Sequence, residues 1–398
     1  MEHGLKNGGL LLSATALKDS LNPRPGILPE STMLTTYQKD LLLQGEHEID
    51  ESLDEVDEVI PFKYPITSYG ADYPVDSLVK RISNGDIIIP KFQRGFVWSL
   101  REASRFVESL LLGLPVPSIF LSKEADSGKL LVIDGQQRLS SLRYFYDGLW
   151  PSSPSRKEFA LRAVAAKFEG ATYKSLAQDD RRRLDDSIVH AIVVRQDEPS
   201  DDSSSIYHIF ERLNTSGVSL TPQEIRTAIH HGEFSDVLNT LNGLSDWRAI
   251  YGPVNKLMRD QELILRFLAL HYNADHYTRP MKGFLNDFMG RNKHLSIISH
   301  DSIREAFAPT VEVIYKSIGK RAFRLARVLN AAVYDAVMVG VARRMQRGPI
   351  SDSDMLRERY TNLLAGKDFL DVTERATADE ESVSERLRLA TAAFNDVS

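Results

Sequence analysis

The chain has 398 residues, a formal net charge of −6 and no cysteine. The absence of cysteine excludes disulfides, thiolate zinc sites and cysteine nucleophiles. A hydrophobic share of 42% is ordinary for a folded soluble protein, and the sequence contains neither a recognisable signal peptide nor an apolar stretch long enough to cross a bilayer. We therefore expect a cytoplasmic protein without membrane contact, and the length predicts two domains.

Residues 1–60 are predicted to be a poorly ordered segment, because Gly and Pro interrupt them before they become acidic. Glu46–Glu58 holds eight carboxylates and no Lys or Arg, and without those charges the net charge of −6 becomes +2. A solvated acidic linker and an acidic arm that competes with nucleic acid for a basic groove both fit this composition.

Residues 61–199 are predicted to alternate strands and helices, which is typical of an α/β domain. Ser99 and Glu102 form a Ser-x-x-Glu capping box at the start of a helix that ends at Gly113. Strands are predicted at Ile87–Ile89, Ser118–Leu121, Lys129–Ile133 and Ile188–Arg195, and a further helix at Gln136–Tyr146.

Residues 200–398 are predicted to form an all-α helical domain. Thr221, Pro222 and Glu224 supply the N-cap, the first-turn proline and the N3 acid of one helix. Broad apolar faces predict longer helices at Leu257–Tyr272 and Phe323–Arg344.

The motif with the most chemistry has the sequence DGQQR and runs from Asp134 to Arg138, where an apolar strand passes into a helix through one glycine. Backbone N–H groups at a helix start bind anions, and Gly135 lets a ligand approach the backbone closely. Arg138 can bind phosphate, Asp134 can hold Mg²⁺ or accept from a ribose hydroxyl, and the two glutamines can orient a water or read a base edge. The alternative interpretation is a plain helix cap at Asp134 with Arg138 on the helix surface.

A second motif, PKFQRGFVW, occupies Pro90–Trp98 and also lies between a strand and a helix. Two such loops on one sheet predict that Arg94 and Arg138 face one pocket. Gln93 and Asp134 are then expected on the wall of that pocket. The aromatic side chains of the motif either stack on a base or belong to the core. They are Phe92, Phe96 and Trp98.

A third segment, Phe210–Thr221, places Asn214 and Gly217 between two predicted helices. Asn at this position is either the C-cap of the first helix or part of a helix-turn-helix, although the connection is long for the tight turn of that motif. The residues alone leave both interpretations open.

A basic surface is predicted where Arg321, Arg324 and Arg327 recur every third residue, with Lys316 and Lys320 nearby. These side chains either contact DNA phosphates or form a solvated helix face.

Four segments resemble, in order and spacing, the N-terminal domain of GmrSD-type proteins, a family of modification-dependent restriction and phage-defence proteins. They are PKFQRGFVW, LLLGLPVPSIFL, LVIDGQQRLSSL and IFERLNTSGVSLTPQEI, and the resemblance extends over about residues 70–345. It implies a core similar to the ParB/sulfiredoxin fold for residues 61–199 and a DGQQR motif associated with nucleotide hydrolysis. Redox chemistry like that of sulfiredoxin is excluded by the lack of cysteine.

The resemblance also implies roles for individual residues by motif match. A catalytic role falls to Asp134, Gln136, Gln137 and Arg138, and a nucleotide-binding role to Gln93, Arg94, Gly135 and Asn214. Asp134 is the expected ligand of Mg²⁺. The expected cofactors are a nucleoside triphosphate (GTP, ATP or CTP) and Mg²⁺.

The leading hypothesis is a nucleotide-hydrolysing protein of a restriction or phage-defence system. Its expected partners are DNA, a partner nuclease or defence protein, and further copies of the chain. A ParB-like DNA-binding module that uses nucleotide as a switch without turnover, and a nuclease that acts through DGQQR, stay open. Many proteins of the family carry a C-terminal His-Asn-His nuclease. We expect none in this chain, because all ten histidines lie at or before His300.

Overall fold

Seven strands occur in the computed structural model of the chain, which describes residues 49–50, 66–89, 96–124, 127–151, 157–196, 204–213, 220–325, 328–374 and 377–398. They are β1 (Ile49–Asp50), β2 (Ile66–Pro74), β3 (Ile87–Ile88), β4 (Ile119–Lys123), β5 (Leu130–Asp134), β6 (Ile188–Gln196) and β7 (Leu329–Asn330). Five of them form one sheet in the order β2-β6-β4-β5-β3, and β1 pairs in parallel with β7.

The five-stranded sheet is mixed. β2 pairs antiparallel with β6 along all nine of its residues. β6 runs parallel to β4, β4 antiparallel to β5, and β5 parallel to β3. β5 therefore lies inside the sheet, between β4 and β3, and its carboxyl end carries the DGQQR motif.

β5 is buried on both faces, which explains why its sequence is continuously apolar rather than alternating. Leu130 and Val132 pack into the core on one face, and Leu131 and Ile133 pack into a separate core on the other. Successive side chains of a strand point to opposite faces, so one short strand serves both cores.

Helices supply both cores. The first face of the sheet is covered by α1 (Val75–Asn84), α2 (Leu100–Leu111), α3 (Gln136–Asp147) and α4 (Gln178–Asp185). The second face is covered by α5 (Ser204–Leu213) and α6 (Pro222–Ile229). The first two helices of the C-terminal half therefore pack directly on the sheet.

The remainder of the chain is helical and packs around a large apolar core. Its helices are α7 (Glu233–Asn242), α8 (Ser245–Tyr251), α9 (Arg259–Asn273), α10 (Met281–Arg291), α11 (His300–Ser317), α12 (Ala331–Met345), α13 (Ser353–Ala365), α14 (Lys367–Glu374) and α15 (Glu380–Phe394). One buried carboxylate, Asp335, pairs in this core with the buried guanidinium groups of Arg266 and Arg386, each at 2.8 Å.

The predicted α/β domain followed by a helical domain is confirmed. Both predicted capping boxes are present, since the side chains of Ser99 and Thr221 accept from the N3 backbone N–H of α2 and α6. The likeness of the sheet to the ParB/sulfiredoxin fold and the domain limits at residues 60 and 199 stay predictions. No helix in the described part of the chain is long and apolar enough to cross a membrane.

The predicted helix over Phe323–Arg344 is wrong at its start. α12 begins at Ala331, where the side chain of Asn330 accepts from the N–H of Val333 at 2.8 Å and caps the helix. Residues 321–323 form a turn. The three-residue spacing of arginines in this region therefore does not describe one face of a helix.

The strands β1 and β2 in the N-terminal part differ from the predictions. β2 was not predicted, because its sequence ITSYGADYP contains Gly, Pro, Asp and Ser, which are poor strand formers. Ile49–Asp50 lies in the segment that was predicted to be poorly ordered and forms β1. The rest of residues 1–60 lies outside the described residues.

Candidate functional site

The turn between β5 and α3 is made by Gly135, which has φ 99° and ψ 9° and is the N-cap of α3. Two structural features disfavour a side chain at this position. The positive φ is unfavourable for any residue with a Cβ, and a Cβ built on Gly135 would lie 2.9 Å from the Cβ of Ile119 in β4. Both reasons are structural and explain the glycine without a ligand.

The start of α3 carries no side-chain cap. Its first intrahelical hydrogen bond runs from the N–H of Leu139 to the carbonyl oxygen of Gly135, at 2.9 Å. The N–H groups that precede Leu139 in the first turn have no acceptor four residues earlier in the helix. Asp134 is the last residue of β5 and not the N-cap, which differs from the plain-cap interpretation.

Arg138 lies against protein oxygens. One terminal nitrogen, Nη1, donates to the carbonyl oxygens of Pro117 at 2.7 Å and Ser118 at 2.9 Å. The other, Nη2, donates to Oδ2 of Asp134 at 2.5 Å. The Arg138 side chain is only 13% exposed, whereas that of Asp134 is 47% exposed. The geometry therefore gives Arg138 a structural task and leaves the carboxylate as the more accessible partner.

Gln137 connects the DGQQR motif to the end of PKFQRGFVW. Its Oε1 accepts from the backbone N–H groups of Val97 at 3.0 Å and Trp98 at 3.2 Å. Two donors on one atom identify that atom as the amide oxygen, since the amide nitrogen is only a donor. The predicted proximity of the two motifs is thus visible at the described end of the second one.

The described aromatic residues of the second motif pack on neighbouring rings. Phe96 meets Tyr144 and Trp150 edge to face, with ring centroids 5.1 and 5.2 Å apart, and Trp98 meets Phe106 at 5.7 Å. This arrangement favours the core interpretation over base stacking for Phe96 and Trp98. Several residues singled out in the second and third motifs lie outside the described residues. They are Phe92, Gln93, Arg94, Asn214 and Gly217.

Comparison with known proteins gives a match over the part of the chain that holds this site. Residues 75–231 match the family described as GmrSD restriction endonuclease, N-terminal domain. Over this range the chain is similar to the N-terminal domain of that family. The matched range begins with α1 and continues past α6, so it includes the two helices on the second face of the sheet.

An uncharacterized protein of Methanocaldococcus jannaschii is similar to this chain, with 30% identity over 107 residues. The alignment covers 21% of this chain and 18% of that protein, so the chain spans less than a fifth of this relative's length. The description of the family refers to restriction endonucleases.

Beyond the DGQQR turn, a buried arginine joins the matched residues to the helical remainder of the chain. Arg226 of α6 donates through Nε to Oδ1 of Asn286 at 3.2 Å and through Nη1 to Oε2 of Glu262 at 3.2 Å. Sequence reasoning missed this residue. Arg226 lies between Ile225 and the apolar pair Ala228 and Ile229 in α6. A charged residue among apolar residues signals burial but does not identify the partners of the charge.

The basic residues predicted to bind DNA are less available than their charge suggests. Arg324 donates to the backbone carbonyl oxygens of Ile250 at 2.9 Å, Lys320 at 2.9 Å and Tyr251 at 3.2 Å. Burial and the neighbouring charge of Arg321 lower the pKa of Arg324. Arg327 lies outside the described residues. A DNA-binding role for these three arginines stays a prediction.

Proposed function

We propose that this chain binds and hydrolyses a nucleoside triphosphate, and that it does so within a GmrSD-like restriction or phage-defence system that acts on DNA or with a partner nuclease. The observation that carries the proposal is the start of α3, which has no side-chain cap and lies directly behind the half-exposed carboxylate of Asp134. Backbone N–H groups at a helix start and the positive end of a helix dipole favour a phosphate.

One carboxylate at the turn between β5 and α3 is suited to bind Mg²⁺. The proposed ligand is Asp134, whose Oδ2 already accepts from Arg138. Mg²⁺ in nucleotide sites is commonly held by one or two carboxylates together with phosphate oxygens and water, so a single accessible carboxylate suits it. Bound there, the ion would neutralise charge on the phosphoryl group that is transferred.

The second motif supplies the cationic side of the proposed site. Arg94 lies three residues before Val97, whose N–H is bonded to Gln137. By the motif match, we expect Arg94 to contact the phosphates of the nucleotide. An arginine within reach of a developing phosphoryl charge stabilises the transition state. By the motif match, Gln93 and Gln136 orient the substrate or the attacking water.

A matched pair of variants tests the proposal. Asp134→Asn removes the proposed metal ligand, and Asp147→Asn is its control at the other end of α3. Both carboxylates are 47% exposed and both pair with an arginine four residues away in sequence. We expect isothermal titration calorimetry with each of the four nucleotides and Mg²⁺ to show binding to the wild type and to Asp147→Asn. Affinity should fall about tenfold or more in Asp134→Asn.

The outcomes separate the alternatives. Equal loss in both variants would mean that general negative charge matters rather than this site, and absence of binding by the wild type would end the proposal. Binding without release of phosphate would leave a nucleotide switch without turnover. Metal-dependent nicking of plasmid DNA that disappears in Asp134→Asn would favour a nuclease that acts through DGQQR.

A further inference from the structure

We propose that Gln137 is a positioning residue, which holds the backbone of Val97 and Trp98, the described end of the second motif, against the start of α3 and beside the proposed nucleotide site. The inference rests on the proposed function for its consequence, but the contact itself does not. It assigns the second glutamine of DGQQR a task different from orienting water or reading a base.

The first support is the direction of the hydrogen bonds. The carbonyl oxygen of the Gln137 side chain accepts two backbone N–H groups, at 3.0 and 3.2 Å. The distance in sequence is about forty residues, so no local turn geometry makes this contact. A glutamine whose oxygen is already used twice is poorly suited to accept from water or base as well, because a carbonyl oxygen has two lone pairs.

The second support is the position of the residues that are held. Val97 is 55% exposed and therefore gains little from apolar packing. Ser99, two residues later, caps α2. Val97 and Trp98 are thus the last residues of the second motif before a fixed helix, and the Gln137 contact holds their backbone beside α3.

The third support is the parallel with the next residue. Arg138 binds the carbonyl oxygens of Pro117 and Ser118, in the connection between α2 and β4. Consecutive side chains in the first turn of α3 therefore hold the two connections that flank α2, one by accepting and one by donating. Asp134 remains the residue of the motif with a half-exposed carboxylate at this turn.

The test uses two substitutions at Gln137 and a matched control. Gln137→Met keeps the length of the side chain but removes the acceptor, whereas Gln137→Glu keeps an acceptor and loses the amide donor. Gln178→Met makes the same chemical change at an exposed glutamine that begins α4. Hydrogen exchange at the amides of Val97 and Trp98, measured on the full chain without nucleotide, reports the contact directly.

We expect exchange at these two amides to be about tenfold faster in Gln137→Met, and to stay near the wild-type rate in Gln137→Glu and Gln178→Met. Unchanged exchange in Gln137→Met, or fast exchange in Gln137→Glu, would overturn the contact. This readout is valid even if the wild type binds no nucleotide, so failure of the proposed function and failure of this inference are distinguishable.

Where the wild type binds and hydrolyses nucleotide, a second readout separates positioning from catalysis. A positioning residue predicts that Gln137→Met weakens nucleotide affinity about tenfold and leaves turnover at saturation within about threefold of the wild type. Loss of turnover at saturation with unchanged affinity would instead make Gln137 a catalytic residue and contradict the proposal. Wild-type affinity and turnover in a variant with fast exchange would show that the contact positions nothing.

Discussion

Replacement of Arg138 by alanine tests whether this residue supports the fold. Its guanidinium makes three hydrogen bonds to protein oxygens and its side chain is 13% exposed. A hydrogen bond to a charged group contributes about 1.5–3 kcal/mol when it is buried. Pro117 is exposed, so water can replace part of what is lost there, and the ion pair with the half-exposed Asp134 adds little. We expect the free energy of unfolding to fall by about 1–3 kcal/mol.

Urea denaturation followed by circular dichroism measures this loss, with Arg143→Ala as the control. Arg143 lies on the same helix, is 48% exposed and pairs with Asp147 at 3.6 Å, so its removal should cost less than about 0.5 kcal/mol. Equal stability of Arg138→Ala and the wild type would refute the structural reading of the three hydrogen bonds. If the loss is found, reduced nucleotide binding by Arg138→Ala does not identify Arg138 as catalytic, and Asp134→Asn is the cleaner probe.

Three further predictions concern stability, and chemical denaturation checks each of them. Gly135→Ala should cost about 2–4 kcal/mol, because φ is positive there and the new Cβ meets Ile119; a cost below about 0.5 kcal/mol would contradict the close approach. Asp335→Asn should cost about 3–5 kcal/mol, because two buried guanidinium groups lose their counter-charge; a neutral result would mean that they are solvated. Burial, with Arg343 nearby, lowers the pKa of His271 to about 4. The unfolded chain therefore binds the extra proton first as pH falls, and the stability that neutral His271 provides is present above about pH 6.5 and lost toward pH 4. Stability should fall less between pH 7 and pH 4 in His271→Gln than in the wild type, by up to about 3 kcal/mol; parallel pH profiles would contradict it.

Features of the fold that depend on residues close together in sequence were predicted correctly. The capping boxes at Ser99 and Thr221 and the glycine turn at Gly135 depend on residues within four positions of one another, and each is present in the structure. β2 was not predicted, because its intrinsic strand propensity is weak and its partner β6, which stabilises it, lies more than a hundred residues away in sequence. The predicted start of α12 was wrong, because apolar residues continue on the N-terminal side of the cap at Asn330.

The contacts of the side chains at the candidate site were not predicted from the sequence. The sequence predicted a helix start after Asp134, where α3 begins, while the pocket shared by Arg94 and Arg138 stays a prediction. It did not indicate that Gln137 and Arg138 bind main-chain atoms, because the amides of Val97 and Trp98 and the carbonyl oxygens of the α2–β4 connection have no signature in sequence. Any residue type offers the same backbone groups.

We propose that nucleotide phosphate binds at the start of α3. A crystal structure of the chain with a non-hydrolysable nucleoside triphosphate analogue and Mg²⁺ tests this proposal. We expect phosphate oxygens about 3 Å from the backbone nitrogens of Gln136 and Gln137, with the metal on the side of Asp134. An analogue bound elsewhere on the chain, or no bound analogue at a concentration where the same analogue protects the chain from unfolding, would contradict it.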